Sequence, residues 1–385
     1  MNFGEWSDWG QLNGSSRWLL VLQALCLGGA LLAFLGGVSH ARRARAGADA
    51  GSGARRASAW APAVLALVAA IGVAGASLWN RYVEVNHFPS QTMGEVLTVF
   101  CASLLVSLLV LHFALGLHRR GPGWAIVDDA MQVLVFGGVG ATTYYVFTLS
   151  TAQRDLPPAL QSYWFAPHIV ALIFSYATLG IAGVICLIYF IMRFWSGVFV
   201  GGRTRRSQWL ILAGLVLTPF LHVVTIPVLA LSGLLFFWML KSGRLPAAER
   251  LARLERELDD VSFRAFAVGM PFLTAGLWMG AFWAQEAWAN YWGWDSKENS
   301  ALISWLVYVV YIHLRMLGGY RGEKAMAVLL GGALSIFITF QIFGYLPDSQ
   351  KSLHRYTDDQ VAPQEGQMGP RPEDQARAEG TQEPR

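Results

Sequence analysis

The segment WAQEAWANYWGWDSKENSALISWLVYVVYIHLRM, from Trp283 to Met316, gathers Trp283, Trp288, Trp292, Trp294 and Trp305 around an acidic turn. Indole rings at this density suit the holding of a flat, apolar, conjugated molecule, because stacked and edge contacts add about 0.5–1.5 kcal/mol per aromatic pair beyond burial. An aromatic belt at the membrane interface explains enrichment in tryptophan, but not so tight a grouping. Trp288 and Trp292 are four residues apart and are expected to share one face of a helix or helical turn. Trp294 follows Gly293, whose backbone freedom is expected to redirect it. Asp295, with Glu298 three residues on and an apolar run from Ala301, has the pattern of a capping box. A cap that fixes where the next helix starts also fixes the aromatic shelf beside it.

Three histidines stand near this segment or at matching positions elsewhere. His168 follows Tyr163, Trp164 and Pro167 at the mouth of an apolar run, His354 sits in SLHRY after the last run, and His313 lies near the far end of the helix leaving the tryptophan loop. A lone histidine at a loop is ordinarily a headgroup-level residue. Two on one side of a membrane, flanking an aromatic shelf, form an axial pair for haem iron. His313 is either an intramembrane functional histidine or one that reaches the interface. Cys26, Cys101 and Cys186 lie inside apolar runs without CxxC or CxxCH spacing. That excludes a disulfide framework, a thiolate metal site and a c-type cytochrome.

The elements that must position these residues are membrane helices. The 385 residues are 54% hydrophobic and 14% charged, against about 25% charged in soluble domains. Runs long enough to cross a bilayer, roughly 20 residues each, recur at about Trp18 to Val38, Trp60 to Trp79, Val96 to Leu117, Ala125 to Thr148, His168 to Met192, Phe263 to Trp283, Ala301 to Leu317 and Ala325 to Tyr345. The expected fold is all-α, a polytopic transmembrane bundle of about eight full spans plus a hairpin or two short spans at 209–240.

The net charge of +4 does not point to nucleic acid, because the basic residues alternate by loop. Arginines and lysines crowd the loops near residues 42–56, 119–120, 193–206, 241–264 and 315–324, while Arg17, Arg81, Arg154 and Lys297 are the few on the other side before the C-terminal tail. The positive-inside rule then places the N-terminus, the tryptophan loop 284–299 and the tail outside. Both flanks of 209–240 are basic, so an even number of crossings is required there. Pro219 and Pro227 interrupt that stretch, and proline breaks the helical ladder, which favours the hairpin over a single tilted helix.

Residues 1–58 read as an N-terminal span and basic inner loop, 59–356 as one membrane domain, and 357–385 as a disordered tail rich in Gln, Glu, Pro and Gly. The N-terminus lacks the basic region of a cleaved signal. Residues 246–262 read as an amphipathic helix with Leu251, Leu254 and Leu258 at helical spacing, expected to feed the next span in preference to binding lipid.

The Trp283–Met316 segment resembles the tryptophan-rich signature of the cytochrome c assembly proteins, specifically the haem-handling CcsA type of the system II pathway. HFPSQTMGEVLTVF (His87 to Phe100) is similar to that family's early helix start. LPPALQSYWFAPHIVALIFSYATLG (Leu156 to Gly180) and FGYLPDSQKSLHRY (Phe343 to Tyr356) resemble its two outer-histidine segments. The resemblance covers roughly residues 80 to 356. It implies that His168 and His354 are external haem ligands, that His313 is a transmembrane haem ligand, and that Trp288, Trp292, Trp294 and Asp295 belong to the platform presenting haem b as cargo. The family's transmembrane histidine pairs with one from a partner membrane protein carrying a large outer domain, with His112 and His118 as local substitutes. His222, in the 209–240 stretch, has no role assigned by the resemblance.

The implied function is haem presentation at the outer face of a bacterial inner membrane, in support of thioether attachment to the CxxCH motif of an apocytochrome c. The chain would act as a haem lyase component, with thiol-reducing proteins and membrane lipid as further partners. The rival readings are a haem exporter without a synthetic role, a sibling assembly protein of the system I or nitrite-reductase type, and a membrane scaffold that binds no chromophore.

Overall fold

The structure is a computed structural model that describes residues 13–45, 53–117, 122–149, 158–200, scattered positions within 226–241, and 248–341. Eight long helices occupy the eight apolar runs: α1 (Gly14–Arg45), α2 (Gly53–Val85), α3 (Met93–Leu115), α4 (Pro122–Val146), α5 (Phe165–Val200), α6 (Ala248–Trp288), α7 (Ser296–Met316) and α8 (Glu323–Gln341). No strand occurs among the described residues. Of these helices α1, α2, α3, α5 and α6 are long and apolar enough, over the residues described, to cross a membrane. The chain is therefore a helical membrane bundle, as its composition implies. The hairpin stretch lies almost wholly outside the described residues, as do His118, His222, His354 and the tail.

Two packed groups share α3. Helices α1, α2, α3 and α4 bury one core around Leu22, Leu67, Leu105 and Phe136, with α1 lying along both α2 and α4. Helices α5, α6, α7 and α8 bury a second around Phe190, Phe266, Tyr308 and Leu329. Without a strong hydrophobic drive between helices in lipid, close packing and polar contacts hold such bundles together.

Helix α6 has 41 residues, roughly 60 Å at the α-helical rise, which is twice the hydrocarbon thickness of a bilayer. Its first four turns are the amphipathic stretch, here continuous with the span. Leu251 and Leu258 are buried in the second core and Leu254 packs against it, so this leucine face is used by the bundle itself.

Contacts fix the relative directions. His168, on the first turn of α5, meets Gly276 and Gly280 in the last third of α6, while Arg193 near the end of α5 pairs with Glu255 near the start of α6. The two helices are antiparallel. The end of α5 and the start of α6 therefore lie at the same end of the bundle. The end of α2 and the starts of α1 and α3 also meet, through Ser15, Glu84, Arg81 and Glu95. His112 near the end of α3 meets Asp128 near the start of α4, and Trp124 on the same first turns of α4 meets Glu257 near the start of α6, which puts the start of α3 and that junction at the tryptophan-loop end.

Candidate functional site around His168 and the tryptophan loop

His168 is 8% exposed. The carbonyl oxygen of Gly276 lies 2.8 Å from its Nδ1, and since a carbonyl only accepts, Nδ1 carries the proton. Nε2 is then the lone-pair nitrogen, the form that binds a metal. Trp283 lies alongside the imidazole, with centroids 5.6 Å apart and planes 26° from parallel. Trp283 is itself fixed from three directions. Its Nε1 donates to the Ala159 carbonyl at 2.7 Å, and its ring meets Phe165 and Trp288 at 5.2 and 4.8 Å. The short 3-10 turn Pro158–Leu160 thereby seals the seat, with Leu160, Phe165 and Trp283 buried together.

This seat depends on two glycines. A Cβ on Gly280 would come within 2.6 Å of His168 Cε1, and one on Gly276 would lie as close to Leu172 Cδ2. These residues are four apart on α6, the small-residue spacing that lets membrane helices approach closely. That spacing was available as a signal in TAGLWMGAFW, yet the reading from residue chemistry passed over it.

The aromatic shelf expected from Trp288, Trp292 and Trp294 is divided in two. Helix α6 ends at Trp288, which turns its ring toward Trp283. Trp292 lies beyond the helix end, so the two do not share a helical face; it makes an edge contact with Trp294 at 6.2 Å. It also lines an apolar groove of about 360 Å³ between α6 and α7, with Trp278, Phe282, Leu302 and Trp305. Trp305 Nε1 donates to Thr274 Oγ1 at 3.0 Å across that groove. Phe282 connects the halves, since its ring meets Trp164 beside the His168 seat at 4.9 Å.

The chain is redirected at Ala289 (φ 55°) and Trp294 (φ 56°), not at Gly293. A left-handed backbone costs an L residue about 1–2 kcal/mol. The capping box supplies the restraint: Asp295 Oδ1 accepts from Lys297 N at 2.8 Å, while Glu298 Oε2 accepts from both Gly293 N and Asp295 N at 2.8 and 3.1 Å. Asp295 caps α7 as its pattern indicates, and Glu298 holds the loop as well as the helix. Trp294 is left 71% exposed.

A second capping box starts α3. Glu95 N donates to Thr92 Oγ1, and Glu95 Oε2 accepts from the backbone of Gln91 and Thr92. The other oxygen of Glu95 accepts from the buried Arg81 Nε at 2.8 Å. The polar stretch before this helix is thus an anchor at the tryptophan-loop end.

His313 lies on the outward face of α7, exposed, its Nδ1 donating to the Val309 carbonyl at 2.7 Å. His112 is no substitute partner for it. It is fully buried between α3 and α4, with Nδ1 2.8 Å from Asp128 Oδ2.

Residues 82–347 match the family described as Cytochrome C assembly protein. The chain belongs to the cytochrome c assembly family. It is similar to the cytochrome c biogenesis protein CcsA of Gloeobacter violaceus, 30% identical over 75% of this chain and 84% of that one. It is likewise similar to those of Cyanophora paradoxa, 29% identical over 72% and 82%, and Synechococcus elongatus, 29% identical over 74% and 87%. A role in cytochrome c biogenesis follows for this family member. The matched span contains His168, the tryptophan loop and His313, together with Arg81's partner Glu95.

Proposed function

We propose that this cytochrome c assembly protein takes haem b as cargo from within a bacterial inner membrane and presents it at the outer face, where thioether bonds form with an apocytochrome CxxCH motif. The observation that carries this reading is the seat of His168. Its Nδ1 proton is committed to the Gly276 carbonyl and its ring is held against Trp283, which leaves Nε2 as the nitrogen that would ligate iron. His354, outside the described residues, is the second axial ligand of the proposal. Bis-histidine ligation restrains the iron, and the walls around the ring edge hold the vinyl groups. The chain then contributes proximity and orientation to an addition between thiol and vinyl that would otherwise be bimolecular.

The groove lined by Trp278, Phe282, Trp292 and Trp305 fits the apolar edge of such a cargo. It opens on the same side of α7 that carries His313, roughly 12 Å from Trp305 along the helix. The proposed path runs from His313 up this face to the loop. Ile303, Leu306, Val310, His313 and Leu317 alternate three and four apart on that face, all exposed. This is the seam spacing of paired helices, and it supports a partner membrane protein whose helix lies here, the system II partner with a large outer domain. Thiol-reducing proteins would keep the CxxCH cysteines reduced.

Replacing His168 with Ala in cells that co-express the partner tests the reading. Cytochrome c maturation should be lost and partly restored by added imidazole, which fills the vacant axial position. Normal maturation in the variant would favour export without attachment.

A further inference from the structure

At the end of the bundle opposite the tryptophan loop, two buried histidines pair with two adjacent carboxylates. His40 Nδ1 on α1 is 2.7 Å from Asp129 Oδ2 on α4, and His112 Nδ1 on α3 is 2.8 Å from Asp128 Oδ2. All four residues are at most 6% exposed. Gly36 makes room for Asp129, since a Cβ there would lie 3.1 Å from its Oδ1. None of these groups has a part in haem ligation as described above. Ionisable side chains within membrane helices are costly and mark functional sites, proton relays among them.

We propose that His40, His112, Asp128 and Asp129 form a proton-exchange site that takes protons from, and returns them to, the water at that end of the bundle. Charge balance is the first argument. With both carboxylates ionised and both rings neutral, the site would bury a net charge of two units, and burying uncompensated charge costs heavily. Two protons neutralise it, either as two imidazolium–carboxylate pairs or as two imidazole–carboxylic acid pairs. In both arrangements each proton sits in a nitrogen–oxygen hydrogen bond, of 2.7 Å in one pair and 2.8 Å in the other. When one proton leaves for water, one unit of negative charge remains in the site. That charge is shared between carboxylates at consecutive positions of α4.

Gln132 supplies the second argument. Its side chain is fully buried, its Nε2 lies 3.2 Å from Asp128 Oδ2, and its Oε1 has no hydrogen-bond partner. A primary amide is matched to both protonation states of its neighbour. It donates to the carboxylate as drawn, and after a half-turn its oxygen accepts from the carboxylic acid.

Access is the third. His112 is three residues from the end of α3 and Asp128 six residues from the start of α4, so the route to water is short. The described ion pairs at this end join Arg193 to Glu255 and Glu323 and Arg315 to Asp259, Glu257 accepts from Trp124 Nε1, and Arg42, two residues beyond His40 on α1, is exposed.

The test is infrared difference spectroscopy of the purified full-length chain in lipid nanodiscs, stepped through pH in H2O and D2O. The expected result is a carbonyl-stretch band of protonated carboxyl groups that titrates, shifts in D2O, and disappears in the Asp128→Asn, Asp129→Asn double variant. His40→Gln and His112→Gln each remove a ring that shares a proton with a carboxylate, so the midpoint of the band should move in each variant. These single variants leave both aspartates in place and serve if the double variant does not fold. A band that does not titrate, or a midpoint unmoved in both histidine variants, would overturn the proposal and leave the four residues as helix staples.

Discussion

The imidazole of His168 lies along the indole of Trp283, and it has room there because residue 280 of the same helix as Trp283 has no side chain. Gly280→Ala should therefore act on His168 itself, the iron ligand of the proposed function. Overpacking of this kind costs about 1–3 kcal/mol, and the displaced ring should alter the Soret band of co-purified haem and lower maturation. Gly72→Ala on α2, where a Cβ meets nothing within 4 Å, is the control. It should be neutral or stabilising by up to about 1 kcal/mol. Equal effects of the two would detach Gly280 from the ligand seat.

Asp295 separates capping from charge. Asparagine caps a helix about as well as aspartate, whereas alanine loses about 0.5–2 kcal/mol. Asp295→Asn should keep the thermal midpoint and the haem content near those of the parent, and Asp295→Ala should lower both. If Asp295→Asn loses haem at an unchanged midpoint, the carboxylate touches the cargo directly.

Trp294 couples strain to exposure. Glycine adopts its φ of 56° freely, so Trp294→Gly should raise thermal stability by about 1 kcal/mol while weakening haem retention through the lost ring. Retention equal to the parent would remove Trp294 from the platform.

The outward seam of α7 can be tested without touching His313. Leu306→Ala with Val310→Ala should weaken co-purification of the partner membrane protein. The same truncation of Leu27 and Leu31, exposed on α1, should leave it intact. A loss in both pairs would show only that the bundle had been destabilised.

The sequence by itself determined the helices and one of their starts. Runs of about 20 apolar residues permit nothing but membrane helices, because backbone polar groups in lipid must bond within their own segment. Asp295 and Glu298 specify a cap through contacts only three residues apart, so local chemistry sufficed. His168 was singled out by its place beside the aromatic segment and by family resemblance, and the fold packs its ring against Trp283.

Other features belonged to the tertiary structure. That Trp288 turns to Trp283 while Trp292 turns to the α6–α7 groove depends on where α6 stops and on two left-handed residues after it. No four-residue spacing encodes either. Gly276 and Gly280 acquire meaning only when α5 is laid against them, and the His40–Asp129 and His112–Asp128 pairs join residues 89 and 16 positions apart. Such pairings are set by which helix faces meet, a choice made by packing over the whole bundle and therefore invisible in any short stretch of chain.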